Sequence, residues 1–147
     1  MRTVLIVMVM IAGWGAAFSQ DKDAIEKRAR EMVVALNTGD KEEYKKFIEA
    51  NYSAELIAKK MNQKVVGPDG ESTQPDPDSG LSSKVSIFER LHNDLGKGKV
   101  TSIKQNGDKL DMEVAGDSGA TLTFGLTFLK ESPYLINGLS VQMSMGR

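Results

Sequence analysis

His92 is the only histidine and there is no cysteine, so imidazole chemistry is available at one place and thiol chemistry at none. His92 lies four residues after Phe88 and three before Leu95, at the border of a helical apolar stripe, where a histidine is more often a hydrogen-bonded boundary residue than a base. Tyr44 falls on the apolar stripe of another helix, and Tyr52 follows Asn51 at that helix's end; both positions suit a buried ring whose hydroxyl reaches a partner. Were His92 and a tyrosine to share a pocket with water, they could move a proton in a small isomerase or hydrolase, which is the alternative reading. No catalytic residue is otherwise expected. Asp111 and Glu113 alternate with Leu110, Met112 and Val114, which turns both carboxylates to the face opposite the apolar one.

Metal chemistry fares no better. Asp69, Glu71, Asp76 and Asp78 form an acidic cluster, but counting from Asp76 a calcium loop needs glycine at Leu81 and a bidentate glutamate at Ile87. Of the eight methionines, Met112 and Met143 are expected to face the helices, where thioethers fill irregular gaps. Met143 and Met145 are read as pointing to opposite faces and too sparse for copper. No phosphate loop, nucleophile elbow or zinc spacing occurs, and neither a cofactor nor a metal is implied. What remains is an apolar wall that could line a ligand pocket: Tyr44, Phe47, Tyr52, Phe88, His92, Met112 and Phe124.

The elements that must position this wall fall into two halves. Ile25, Ala29, Met32, Val33 and Leu36 recur at helical spacing after Asp23, which with Glu26 has the capping-box offset. Gly39 can close that helix and Asp40 can cap the next, whose inner stripe is Tyr44, Phe47 and Ile48. Ser53 caps a short third helix, and a fourth is expected from about Lys84 to Asp94 with Gly96 beyond it. Between them, about 63–83, a proline-rich and acidic composition predicts an exposed loop. After Gly96 the period becomes two. Strands around 110–114, 121–128 and 135–143, joined by short turns, predict an antiparallel meander. An irregular first strand, about Lys99 to Gln105, belongs at an edge, because Val100 and Ile103 can share a face only through a bulge.

Residues 1–19 have the make-up of a signal peptide: Arg2, the apolar run Val4 to Ala12, and Ala17-Phe18-Ser19 before a cleavage point at Gln20. The run is shorter than the roughly 20 residues of a spanning helix, so the mature chain, 20–147, is expected to be a single exported domain, periplasmic or secreted, with no membrane span. Without Arg2 the 19 basic side chains become 18 against 20 acidic ones, interleaved, which argues against nucleic acid. The polar outer face of the sheet predicts a monomer or a weak homodimer.

Helices gathered ahead of an antiparallel sheet imply an α+β cone-like half-barrel, of cystatin-like topology. Leu36-Asn37-Thr38-Gly39-Asp40 and Asn51-Tyr52-Ser53 resemble the opening of the nuclear-transport-factor-two-like (SnoaL-like) superfamily. With Leu91-His92-Asn93-Asp94-Leu95-Gly96 and Ile136-Asn137-Gly138-Leu139, the chain is similar to small exported bacterial domains that often precede serine-hydrolase or peptidase domains, and is expected to act without such a domain after it. The resemblance implies either catalysis by Asp, His or Tyr groups inside the cone or, where these are missing, binding of a small apolar ligand or an envelope protein. The inward Leu, Met, Val and Phe residues favour the non-catalytic reading.

Overall fold

The computed structural model of the chain describes residues 14–60, 62–67, 70–75 and 80–145. Four helices, α1 (Trp14–Thr38), α2 (Lys41–Asn51), α3 (Ala54–Ala58) and α4 (Leu81–Leu95), accompany a hairpin, β1 (Asn62–Gly67) and β2 (Gly70–Pro75), and the strands β3 (Gly98–Asn106), β4 (Lys109–Gly116), β5 (Ala120–Phe128) and β6 (Ile136–Met145). The last four strands form one antiparallel meander in the order β3-β4-β5-β6. Its inner residues Leu110, Met112, Val114, Leu122, Phe124, Leu126 and Phe128 are buried under the helices, while Asp111 and Glu113 are exposed. The fold is the expected α+β half-barrel.

Local chemistry explains the joints. Gly39 has φ +67°, a conformation glycine adopts without a Cβ penalty, and Asp40 Oδ1 then accepts from the Glu42 and Glu43 N–H groups at the start of α2. Asn37 exchanges two hydrogen bonds with the backbone of Gly98, at 2.8 and 2.7 Å, tying the end of α1 to β3. At the end of α2, Ser53 N–H donates to the Ile136 carbonyl while its hydroxyl caps α3 through Leu56 N–H and reaches Asn137 Oδ1 at 2.6 Å. The motifs that suggested the superfamily are therefore joints of the fold. In β3 the register shifts between Val100 and Ser102, so that Val100 pairs with Val114 and Ile103 with Met112 on one face, as their spacing required.

Four expectations are corrected. α1 starts by Trp14 instead of at Asp23, because nothing from Gly15 to Lys22 breaks a helix once it has begun. Its course covers the expected cleavage point, whereas the apolar run Val4 to Ala12 lies outside the described residues. The segment 63–83 holds an antiparallel hairpin, with Asn62 paired to Pro75 and Gly67 to Gly70, followed by an α4 that starts at Leu81. Asp69, Asp76 and Asp78 lie outside the described residues. Met143 and Met145 share the inner face, since residues two apart on a strand point the same way; they pair with Leu122 and Ala120.

Candidate functional site

The seven residues expected to wall a ligand pocket lie in the core. Tyr44, Phe47 and Tyr52 come from α2 and its end, Phe88 and His92 from α4, Met112 and Phe124 from the sheet; all but the half-buried His92 are buried. The rings of Tyr44 and Phe88 are 5.3 Å apart, Phe47 and Phe88 5.8 Å, Phe47 and Tyr52 6.2 Å, and Tyr52 and Phe88 6.3 Å. These are tilted and edge-on contacts at distances where ring quadrupoles attract. The four rings form one buried cluster joined through Phe88.

His92 is spent on the fold. Its Nδ1 lies 2.8 Å from the Leu36 carbonyl, which can only accept, so Nδ1 carries a proton. The Tyr44 hydroxyl donates to the same oxygen at 3.4 Å, as does Gly39 N–H. Histidine and tyrosine thus meet, but over the last turn of α1, where they satisfy a carbonyl that the helix leaves without an internal partner. The other ring nitrogen abuts Gly39, where a Cβ would come within 3.0 Å of Nε2. Burial, aided by the carboxylates of Glu89 and Asp40, raises the Tyr44 phenol above its ordinary value. Tyr52 is shifted further upward by burial alone, and its hydroxyl has no hydrogen-bond partner.

Among the described residues, no group of three His, Asp or Glu side chains could hold a metal, and no helix is long and apolar enough to cross a membrane. A cavity of about 480 Å³ sits where α1 passes the β3–β4 turn and the β5–β6 connection. Ile25 of α1 and Leu129 supply apolar wall; Asp21, Lys22, Asp108 and Lys130 bring charge to it. Tyr134, at φ +54°, points its hydroxyl at Asp21, and that hydrogen bond holds its phenol above the ordinary range. Gln105 also lines the cavity: its Nε2 donates to the Gly107 carbonyl at 3.1 Å, and its Oε1 is buried without a partner. A buried acceptor left alone costs about 1–3 kcal/mol.

No family model and no curated protein matches the chain. Among solved structures it is similar to one named Rd1NTF2_05 with five substitutions, at 11% identity and a TM-score of 0.43, the match covering 83% of this chain and 99% of that one. Nothing about this chain's chemistry follows from that likeness.

Two other features escaped the sequence reading. A second depression, of about 330 Å³, lies on the outer face of the sheet among Lys104, Asp111, Glu113 and Gln142. Lys84 is 1% exposed, and its ammonium donates to the Lys59 carbonyl at 2.5 Å. The signal for Lys84 was its place four before Phe88, seven before Leu91 and eleven before Leu95, which is the buried stripe of α4. The end cavity had no such signal, being assembled from three segments distant in sequence.

Proposed function

We propose that this chain is an exported, non-catalytic binding domain of the nuclear-transport-factor-two-like kind. Its ligand is a small molecule with an apolar body and one N–H or O–H donor, held in the end cavity. The observation that carries this reading is about 480 Å³ of space between α1 and the turns of the sheet, walled by Ile25 and Leu129 and bordered by the carboxylates of Asp21 and Asp108. The ligand's body would lie on Ile25 and Leu129, and its donor would meet the carboxylate of Asp108. Export rests on the composition of residues 1–19, and cleavage before Gln20 would leave Asp21 and Lys22 on the first turn of the mature chain. The absence of acid and base groups from the inner face of the sheet, and the commitment of His92 to Leu36, favour binding over turnover. An envelope protein as sole partner, and an isomerase or hydrolase using His92 and Tyr44, are the readings it displaces.

The test titrates the mature protein with short aliphatic amides and alcohols while backbone resonances are followed. Shifts should saturate at Ile25, Gln105, Leu129 and Tyr134. Asp108→Ala should weaken the amides at least tenfold, and His92→Ala should leave them unchanged. Shifts centred on Tyr52 and Phe88, or none that saturate, would overturn the cavity reading. Turnover of an ester or epoxide that His92→Ala abolishes would replace it with the enzyme.

A further inference from the structure

The two edges of the sheet are built differently. β3 carries Lys99 and Lys104 and a bulge, the devices by which natural sheets keep an edge from pairing with another chain. β6 is bulged only at its start, where Asn137 falls between the pairs Gly138–Thr127 and Ile136–Phe128, and its ten residues, Ile136–Met145, contain no charge and no proline in a chain that is 27% charged. The start of the β6 edge is covered by the parallel bridge from Tyr52 to Ile136, and α3 packs on this strand. Beyond Ile136 no described strand pairs with the free side of β6. There the inner face emerges from under the helices, with Met143 45% and Met145 74% exposed.

We infer that the β6 edge is the contact surface for a second copy of this chain, the two β6 strands pairing antiparallel about a two-fold axis at Gln142. The midpoint of the inner set Leu139, Val141, Met143 and Met145 is Gln142. A two-fold there sets Leu139 against Met145 of the partner and Val141 against the partner's Met143. Ser140 meets the partner's Ser144 on the outer face, and Gln142 meets its own copy. Because the paired positions have the same parity, apolar meets apolar and polar meets polar, and the sheets join with their helices on one side. Self-complementarity decides the occupant, and charge does not oppose it. Pairing like strands sets like charges near one another, which the lysines of β3 would oppose and the uncharged β6 does not. The contact, a seven-residue ladder with four apolar side chains from each copy, is smaller than the roughly 1,200 Å² of a standard interface, so the dimer is weak and concentration-dependent. This inference is independent of the end cavity.

Sedimentation of the mature protein over a micromolar to millimolar series tests it. The mass should rise from one chain towards two, and Met143→Lys with Met145→Lys, both at exposed positions, should hold it at one with an unchanged circular-dichroism spectrum. Since the chain has no cysteine, Gln142→Cys should form a disulfide-linked dimer on mild oxidation, directly opposed strand residues being within bridging distance, whereas Thr101→Cys on β3 should not. Cross-linking through Gln142→Cys settles the matter if the lysine variant fails to fold. A wild type that stays monomeric at every concentration overturns the inference, as does a dimer indifferent to the two lysines. A monomer whose mass rises only when an extended, uncharged peptide is added assigns the edge to a foreign strand and overturns it as well.

Discussion

Two regions between the helices and the sheet differ in what fills them. Between α2, α4 and the sheet, Tyr44, Phe47, Tyr52 and Phe88 meet ring against ring, while between α1 and the turns of the sheet about 480 Å³ stays open. The first region is where apolar residues are densest, and it is closed for that reason: each buried aromatic side chain contributes about 1.5–3 kcal/mol by leaving water, and neighbours close up to collect it. The second is lined by Gly107 and by side chains that end in charge or amide, such as Asp108, Lys130 and Gln105, which gain nothing from closing in. A pocket in this fold lies where large inward side chains run out.

The strongest blow to this contrast removes a ring. Phe88, in contact with the other three aromatics, should cost about 3–5 kcal/mol when changed to alanine, read as a lower denaturant midpoint at unchanged slope. A loss under about 1 kcal/mol would mean that the cluster is loosely packed and the regions alike. Adding volume probes the same difference from the other side. Leu122→Phe, at a wholly buried position, should cost about 1–3 kcal/mol by overpacking, whereas Leu129→Phe can grow into the cavity and should stay within about 0.5 kcal/mol of wild type.

A smaller effect comes from Tyr52, whose hydroxyl is buried without a partner. Tyr52→Phe should raise stability by about 1 kcal/mol near neutral pH. The sign of its pH dependence follows from linkage. Burial holds the folded-state phenol above the ordinary value of 10, so above pH 10 the unfolded chain releases a proton that the native chain keeps, and stability falls as pH rises. Each pH unit of that fall amounts to at most about 1.4 kcal/mol from this one group. Urea unfolding between pH 9 and 11, roughly the window around the ordinary phenol value, should show a shallower fall in the phenylalanine variant. Equal slopes would place the Tyr52 hydroxyl in contact with water.

The filled region was largely legible in the sequence and the open one was not. Periods of 3.6 and 2 identify α2, α4 and the meander, the Asp40 and Ser53 caps hold as read, and the spacing of Val100 and Ile103 foretold a bulge. The same patterns grouped Tyr44, Phe47, Tyr52 and Phe88, which the fold brings together in one buried cluster. Periodicity says which face is inward; it does not say whether volumes sum to fill the interior. Lys84 shows the same gap: its place on the α4 stripe was readable, but a lysine reads as solvent-facing until the Lys59 carbonyl, 25 residues away, is brought to it. Ile25, Gln105, Leu129 and Tyr134 belong to no shared period and are joined only by the closing of the sheet onto α1.

The smallest expected effect tests how that open region is held. α1 reaches the cavity through Asp21 and Ile25, and the Tyr134 hydroxyl, carried on a left-handed backbone at φ +54°, donates to Asp21 across 113 positions of sequence. A bond on a partly exposed carboxylate adds little to global stability, because water competes for both groups. Its consequence is local: it pins the stretch of helix that roofs the cavity, while Arg28 fastens the next turn through Pro133 and Asn51. Tyr134→Phe should therefore leave the melting temperature unchanged and speed amide exchange in α1 ahead of Ile25, with exchange from Ala29 to Leu36 unaltered. Unaltered exchange throughout would show that the roof is held by Arg28 alone, and faster exchange along the whole helix would mean that the two regions unfold as one.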